Sequence, residues 1–129
     1  MSDLAAQTVL VVDDCPDLLR AVANALRRGG YSPMVASGPM EALRQARAFP
    51  GAIDLLLSDV SMPEMDGIAL AEQMVAERRN IRVVLMSAST VRSRWPVLEK
   101  PFPIELMLRH VASAIGGSPA CVPAAGPQA

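Results

Sequence analysis

Short apolar runs alternate with apolar stripes at helical spacing along most of the chain. Residues 8–12 (TVLVV) are continuous, apolar and β-branched, which predicts a strand buried on both faces. Leu18, Leu19, Val22 and Leu26 then recur at helical spacing. Pro16 suits the first turn of that helix, and Gly29–Gly30 end it. Residues 31–36 predict a second strand. Pro33 inside it cannot donate a ladder hydrogen bond, so the strand belongs at a sheet edge. Ser37, Gly38 and Pro39 start a helix over residues 40–49, broken by Pro50–Gly51. Residues 53–58 (IDLLLS) predict a third strand with Asp59 just past its end, followed by a loop at Ser61, Met62 and Pro63. Ile68, Leu70, Ala71, Met74 and Val75 mark a helix starting near Asp66, and residues 81–86 (IRVVLM) a fourth strand. Residues 87–96 are polar and basic and have room for one helical turn at most. Val97–Leu98 form a short fifth strand. Pro103 opens a last helix striped by Ile104, Met107, Leu108, Val111 and Ile115.

Strands that alternate with helices imply βαβ units and a parallel sheet, with right-handed crossovers placing helices on both faces. In such open sheets ligands bind beyond the carboxyl ends of the strands. The predicted domain covers residues 8–115. Residues 116–129 turn to Gly, Pro, Ala and Ser, the composition of a flexible tail.

Bulk properties narrow the function classes. The 129 residues, about half of them hydrophobic, suit one domain with one core. A net charge of −1 gives no electrostatic footprint for direct nucleic-acid binding. The four aromatics, Tyr31, Phe49, Trp95 and Phe102, are too few for base stacking. No apolar run is long enough for membrane insertion, and residues 1–7, with acidic Asp3, lack the pattern of a signal peptide. Cys15 and Cys121 make no disulfide framework, so the expected compartment is the reducing cytoplasm.

The polar residues fall in a telling pattern. Asp13 and Asp14 follow strand one, Asp59 strand three, Ser87 strand four and Lys100 strand five. A parallel sheet brings all of them to one rim. Singly, each has an ordinary reading: a helix cap, a loop aspartate, a strand-end hydroxyl, a solvated lysine. Together they form a crevice of three carboxylates, which remain ionised only around a cation. A hard ion such as Mg²⁺ fits. One carboxylate can then act as nucleophile toward a phosphoryl group, with Lys100 and Ser87 meeting its oxygens.

The motifs VLVVDD, LLLSDVSMPEMDG, VVLMSA and KPF, in this order and spacing, resemble the receiver domain of two-component response regulators. The resemblance runs from residue 8 to 115. It implies a flavodoxin-like (CheY-like) doubly wound α/β fold with five parallel strands in order 2-1-3-4-5. It further implies that Asp59 is the phosphoacceptor, supplied by a sensor histidine kinase or a histidine phosphotransfer protein, and that the output is an unknown downstream protein. Asp14 would bind Mg²⁺ directly, Asp13 through a metal-bound water, and Ser61 through its backbone carbonyl. Lys100 would contact the phosphoryl group, with a cis Lys100–Pro101 peptide. Met62–Pro63 and Asp66–Gly67 match the loop after the acceptor, with Gly67 permitting a turn. Ser87 matches the switch hydroxyl, and small Ala88 leaves access for the phosphoryl group. Such a domain catalyses only its own phosphorylation and dephosphorylation.

The chain departs from the family between Ser87 and Lys100. Twelve residues there are too few for a full fourth helix plus a strand, so that helix is short or absent. The aromatic switch position, three before the lysine, is Val97, and Trp95 lies two residues earlier. The loop of residues 88–95 is the expected moving element. Arg92 and Arg94 are either a solvated basic patch or a contact for an acidic partner, and Trp95 is expected to cover the core. Acidic neighbours disfavour a reactive thiolate at Cys15. His110 reads as a surface residue and not a phosphodonor. Two other functions stay open. A haloacid dehalogenase-type phosphohydrolase would need an aspartate where Ser61 stands. A phosphorylation-independent receiver-like scaffold would draw support from Val97 and the short fourth segment. With no room for an output domain, the chain is expected to be a stand-alone regulator or part of a larger protein.

Overall fold

Complete burial of both the first and third apolar runs forces them into the middle of a covered sheet. The computed structural model describes residues 6–116. Its elements are β1 (Thr8–Val12), α1 (Pro16–Arg28), β2 (Ser32–Ala36), α2 (Pro39–Ala48), β3 (Leu55–Asp59), α3 (Gly67–Glu77), β4 (Arg82–Ser87), β5 (Val97–Glu99) and α4 (Ile104–Gly116). The five strands are parallel, in order β2-β1-β3-β4-β5. The chain thus has the flavodoxin-like, doubly wound fold that its resemblance to receiver domains implies. Pro33 lies in β2, at the edge assigned to it, opposite Val9.

The two-residue period of the strands splits the core. Leu10, Val12, Leu56, Val83 and Leu85 meet Leu43 of α2 and Leu70 and Met74 of α3. Val9, Val11, Leu55, Leu57, Val84 and Met86 face the other way, against Val22 and Leu26 of α1 and Met107 and Val111 of α4. Each fully buried leucine contributes about 1.5–3 kcal/mol.

Local chemistry fixes the ends of the helices. Pro16 and Pro39 occupy first turns, where a missing N–H costs nothing. Gly30 ends the α1 turn with a φ of 94°, a left-handed conformation that suits glycine. Asp66 caps α3 through its carboxylate, which accepts from the Ala69 N–H at 2.8 Å.

The structure corrects two expectations and sharpens a third. Asp59 is the last residue of β3 and not a residue beyond it, because Val60 N–H goes on to reach Met86 O at 2.9 Å and keeps the chain beside β4. The fourth helix, expected to be short or absent, is absent: residues 88–96 contain no helical turn. Their side chains close the gap instead: Val91 and Trp95, with Val97 of β5, pack on the core beneath α2 and α3. Gly67 has no left-handed backbone among the described residues, where only Gly30 does. Its hydrogen atom is needed for space, since a Cβ would run into the backbone of Asp59 and Val60. The predicted tail lies outside the described residues save Gly116, which ends α4.

Candidate functional site

β1, β3 and β5 end at one rim, and the residues that follow or end them converge there. Lys100 Nζ donates to Asp13 Oδ2 at 2.8 Å and to Asp59 Oδ1 at 3.2 Å. Carboxylate oxygens of Asp13, Asp14 and Asp59 lie within 4.8 Å of one another. Asp13 is 1% exposed and Asp59 6%, whereas Asp14 points out to solvent.

Each position has a local cause. The sheet ladder ends at Val12, and Asp13 N–H reaches Ala36 O at 3.2 Å across the β1–β2 pair. Asp13 Oδ1 accepts from the Cys15 N–H at 2.9 Å, so both its oxygens are engaged. Asp59 is seated by β4 on one side and by the start of α3 on the other, where Gly67 N–H donates to Val60 O at 2.8 Å. Lys100 follows β5, its N–H held by Ser87 O at 2.8 Å, and the Lys100–Pro101 peptide is cis as expected.

Charge and burial oppose each other here. Burial, and then the Asp13 charge, push the Asp59 carboxyl above its ordinary value, although Lys100 and the Ser61 backbone N–H pull it back. Burial draws the Lys100 ammonium down, but hydrogen bonds and charges from Asp13 and Asp59 outweigh it and hold Lys100 above its usual value. One cation therefore serves two buried carboxylates, and the pocket keeps a surplus of negative charge.

Asp13, Asp14, Asp59 and Lys100 come together, with Ser61 exposed in the loop just beyond. Ser87 lies on the same rim, buried at the end of β4, but its hydroxyl bonds to none of them. It donates to Ser89 O at 2.9 Å and accepts from Ser89 N–H at 3.1 Å. His110 is remote from this pocket, with its ring nitrogen 3.0 Å from Leu106 O within α4. Arg94 is neither free nor simply solvated: it pairs with Glu72 of α3 at 2.9 Å and lies over the Trp95 ring. Glu72 and Ser89 carry no motif in the sequence, and only the fold gives them these partners.

The family model for the response regulator receiver domain matches residues 9–111. Two-component response regulator ORR25 of Oryza sativa subsp. japonica is 40% identical over 81 residues, covering 63% of this chain and 12% of that protein. This chain spans 12–16% of the length of the first curated relatives it matches. A response regulator from Thermotoga maritima has a structure with a TM-score of 0.77 at 26% identity, covering 88% of this chain and 100% of that one. The fold is also that of TrrA from Thermotoga maritima, solved in complex with Mg²⁺-BeF, at a TM-score of 0.74 and 24% identity over 84% of this chain and 98% of that one.

Proposed function

The chain belongs to the response regulator receiver domain family of two-component systems, and from that premise we propose that Asp59 accepts a phosphoryl group, with Mg²⁺ beside it. The observation that carries this reading is Lys100 Nζ spanning Asp13 and Asp59 at the mouth of a three-carboxylate cluster.

The donor set suits a hard divalent cation. Carboxylate oxygens prefer such an ion, and a pocket with more negative than positive charge gains from one. Asp13 is already committed through both oxygens, so exposed Asp14 and buried Asp59 would be the direct carboxylate ligands. The Ser61 backbone carbonyl would complete the set, and Asp13 would act through a bound water. When bound, Mg²⁺ supplies charge neutralisation for the phosphoryl oxygens. TrrA, of the same fold, is described in complex with Mg²⁺-BeF, which is consistent with this assignment.

The residues then divide the work. An Asp59 oxygen attacks the phosphorus of a phosphohistidine on a sensor histidine kinase or a histidine phosphotransfer protein. The O–P bond forms and the P–N bond breaks. The electron pair returns to the imidazole, which takes up a proton, and Asp59 becomes an acyl phosphate. Lys100 follows one phosphoryl oxygen as a point charge. Ser87 donates to another once its hydroxyl turns. Water later releases inorganic phosphate and restores the carboxylate. Beyond this cycle the domain turns over no substrate, and it acts in the cytoplasm on a downstream protein.

Acetyl phosphate with Mg²⁺ tests the assignment by intact mass. One phosphoryl adduct is expected on the parent and none on Asp59→Asn; labelling that persists in the variant refutes Asp59. A second reading, a scaffold that binds partners without phosphorylation, draws on the helix-free β4–β5 connection and on Val97 at the usual aromatic position. Complete indifference of the amide NMR spectrum to beryllofluoride and Mg²⁺ would favour it.

A further inference from the structure

β2 is an outer strand of the sheet, and a hollow of about 310 Å³ lies between it and α1. Pro16, Leu19 and Ala23 of α1 and Val35 of β2 make its walls apolar. The three α1 residues are three or four apart and so share one stripe of the helix. Ala23 is too short to fill the wedge between helix and strand, and Val35 is left 41% exposed. Arg20 and Arg27, about two turns apart on α1, stand at the rim. Val35 and Met40, the exposed large hydrophobics among the described residues, lie on β2 and in the first turn of the helix that follows it. Exposed apolar surface with a polar rim is the mark of a docking site.

The backbone and the charges narrow what fits there. Ser32 N–H and Ala36 O bond inward, to Gln7 and Asp13, so Pro33 and Val35 between them turn their backbone groups outward. Pro33 has no N–H to offer. Gln45 Nε2 donates to Val35 O at 2.8 Å, and Ser37 N–H donates to Glu41 Oε1 at 2.9 Å. The edge is thus poorly equipped to take an added strand, and an occupant has to bind through side chains. The arginines are lightly engaged. Arg20 meets Asp17 only at 3.5 Å, with both side chains largely exposed, and Arg27 reaches neutral Asn24 at 3.2 Å. The rim keeps a positive surplus. A second copy of the chain would bring the same basic rim with it, whereas an acidic helix matches it.

We propose that this hollow docks an acidic amphipathic helix of a partner protein. The helix lies along α1, with its apolar side chains against Leu19, Ala23 and Val35 and its carboxylates at Arg20 and Arg27. α4 packs beside α1 on the flank away from β2, where Leu108 lies next to Gly29. The docked helix therefore leaves the Lys100 side of the rim uncovered. The inference does not depend on Asp59 being the phosphoacceptor.

The probe is a designed helical peptide with leucines along one face and glutamates two turns apart beside them. Titrated into the isotope-labelled full chain, it should give saturable amide shifts at Ala23, Arg27 and Val35 and leave Lys100 in place. Val35→Asp and Arg27→Glu should each weaken binding about tenfold or more. A peptide with lysines in place of the glutamates should bind the Arg20→Glu/Arg27→Glu double variant and not the parent, a charge swap that stays decisive even where Val35→Asp does not fold. Absence of saturable shifts, shifts that miss α1 and β2, or affinity indifferent to the charge swap overturns the proposal. Sedimentation that shows a dimer with the Val35 region buried, without peptide, also overturns it and makes a second copy the occupant.

Discussion

Asp59 is held in a pocket that its own charge does not favour. Burial and the neighbouring Asp13 make the folded protein bind the Asp59 proton more tightly than the unfolded chain does. Stability should therefore fall as pH rises from the ordinary carboxylate range through the raised Asp59 value. Asp59→Asn removes that cost, so in chelator at neutral pH the variant should unfold at a higher urea concentration than the parent. Lys100 follows the same rule in a higher pH range. Its raised value means that its contribution is complete below the ordinary lysine value and is lost as pH climbs from there through the raised one. Lys100→Met leaves Asp13, 1% exposed, without its cation and should cost about 2–3 kcal/mol in urea unfolding, below the figure for a wholly buried pair because Lys100 keeps some solvent contact. Asp13, Asp14, Asp59, Ser87 and Lys100 were all legible in the sequence, because each follows or ends a short apolar run. What Lys100 bonds to was not: Asp13 lies 87 residues away, and only the sheet order decides which carboxylates it meets.

The helices show what pattern can and cannot specify. The apolar stripes placed α1, α2, α3 and α4 to within a few residues, because stripe and cap agree at each end. The α3 start depends on two neighbours acting differently. Asp66→Ala loses the bond to Ala69 N–H and should cost about 1 kcal/mol. Gly67→Ala forces a methyl group into the Asp59 backbone and should cost about 1–3 kcal/mol, with amide shifts concentrated at residues 59 and 60. The sequence suggested a turn at Gly67, since a glycine after aspartate reads the same way whether it supplies a positive φ or room. Arg47 of α2 grips Glu77 of α3 through two hydrogen bonds of 3.0 and 2.7 Å. Both side chains are substantially exposed, so Arg47→Ala should lower the melting temperature only slightly, and molar salt should erase the difference. The segment between β4 and β5 was legible only as too short for a helix. Its strap of Trp95, Arg94 and Glu72 depends on α3 passing nearby, a tertiary fact that no local pattern records.

The doubly wound sheet gathers residues from opposite ends of the chain; alternation implied parallel strands and Pro33 an edge, while the full strand order came from the resemblance to receiver domains. A ligand that binds only the folded state stabilises it in proportion to its occupancy. Mg²⁺ at a hundred times its dissociation constant should add about 2.7 kcal/mol to the parent, and clearly less to Asp14→Asn, in paired thermal melts. The pocket draws on residues 13, 59 and 100, and the last of these follows the final strand of the sheet. A polypeptide still emerging from the ribosome, or clipped by a protease between β4 and β5, would carry the aspartates without the lysine beside them. The phosphoryl mark proposed for Asp59 would then be written efficiently only on molecules that carry both ends of the pocket, so that incomplete copies would stay silent without any separate inspection.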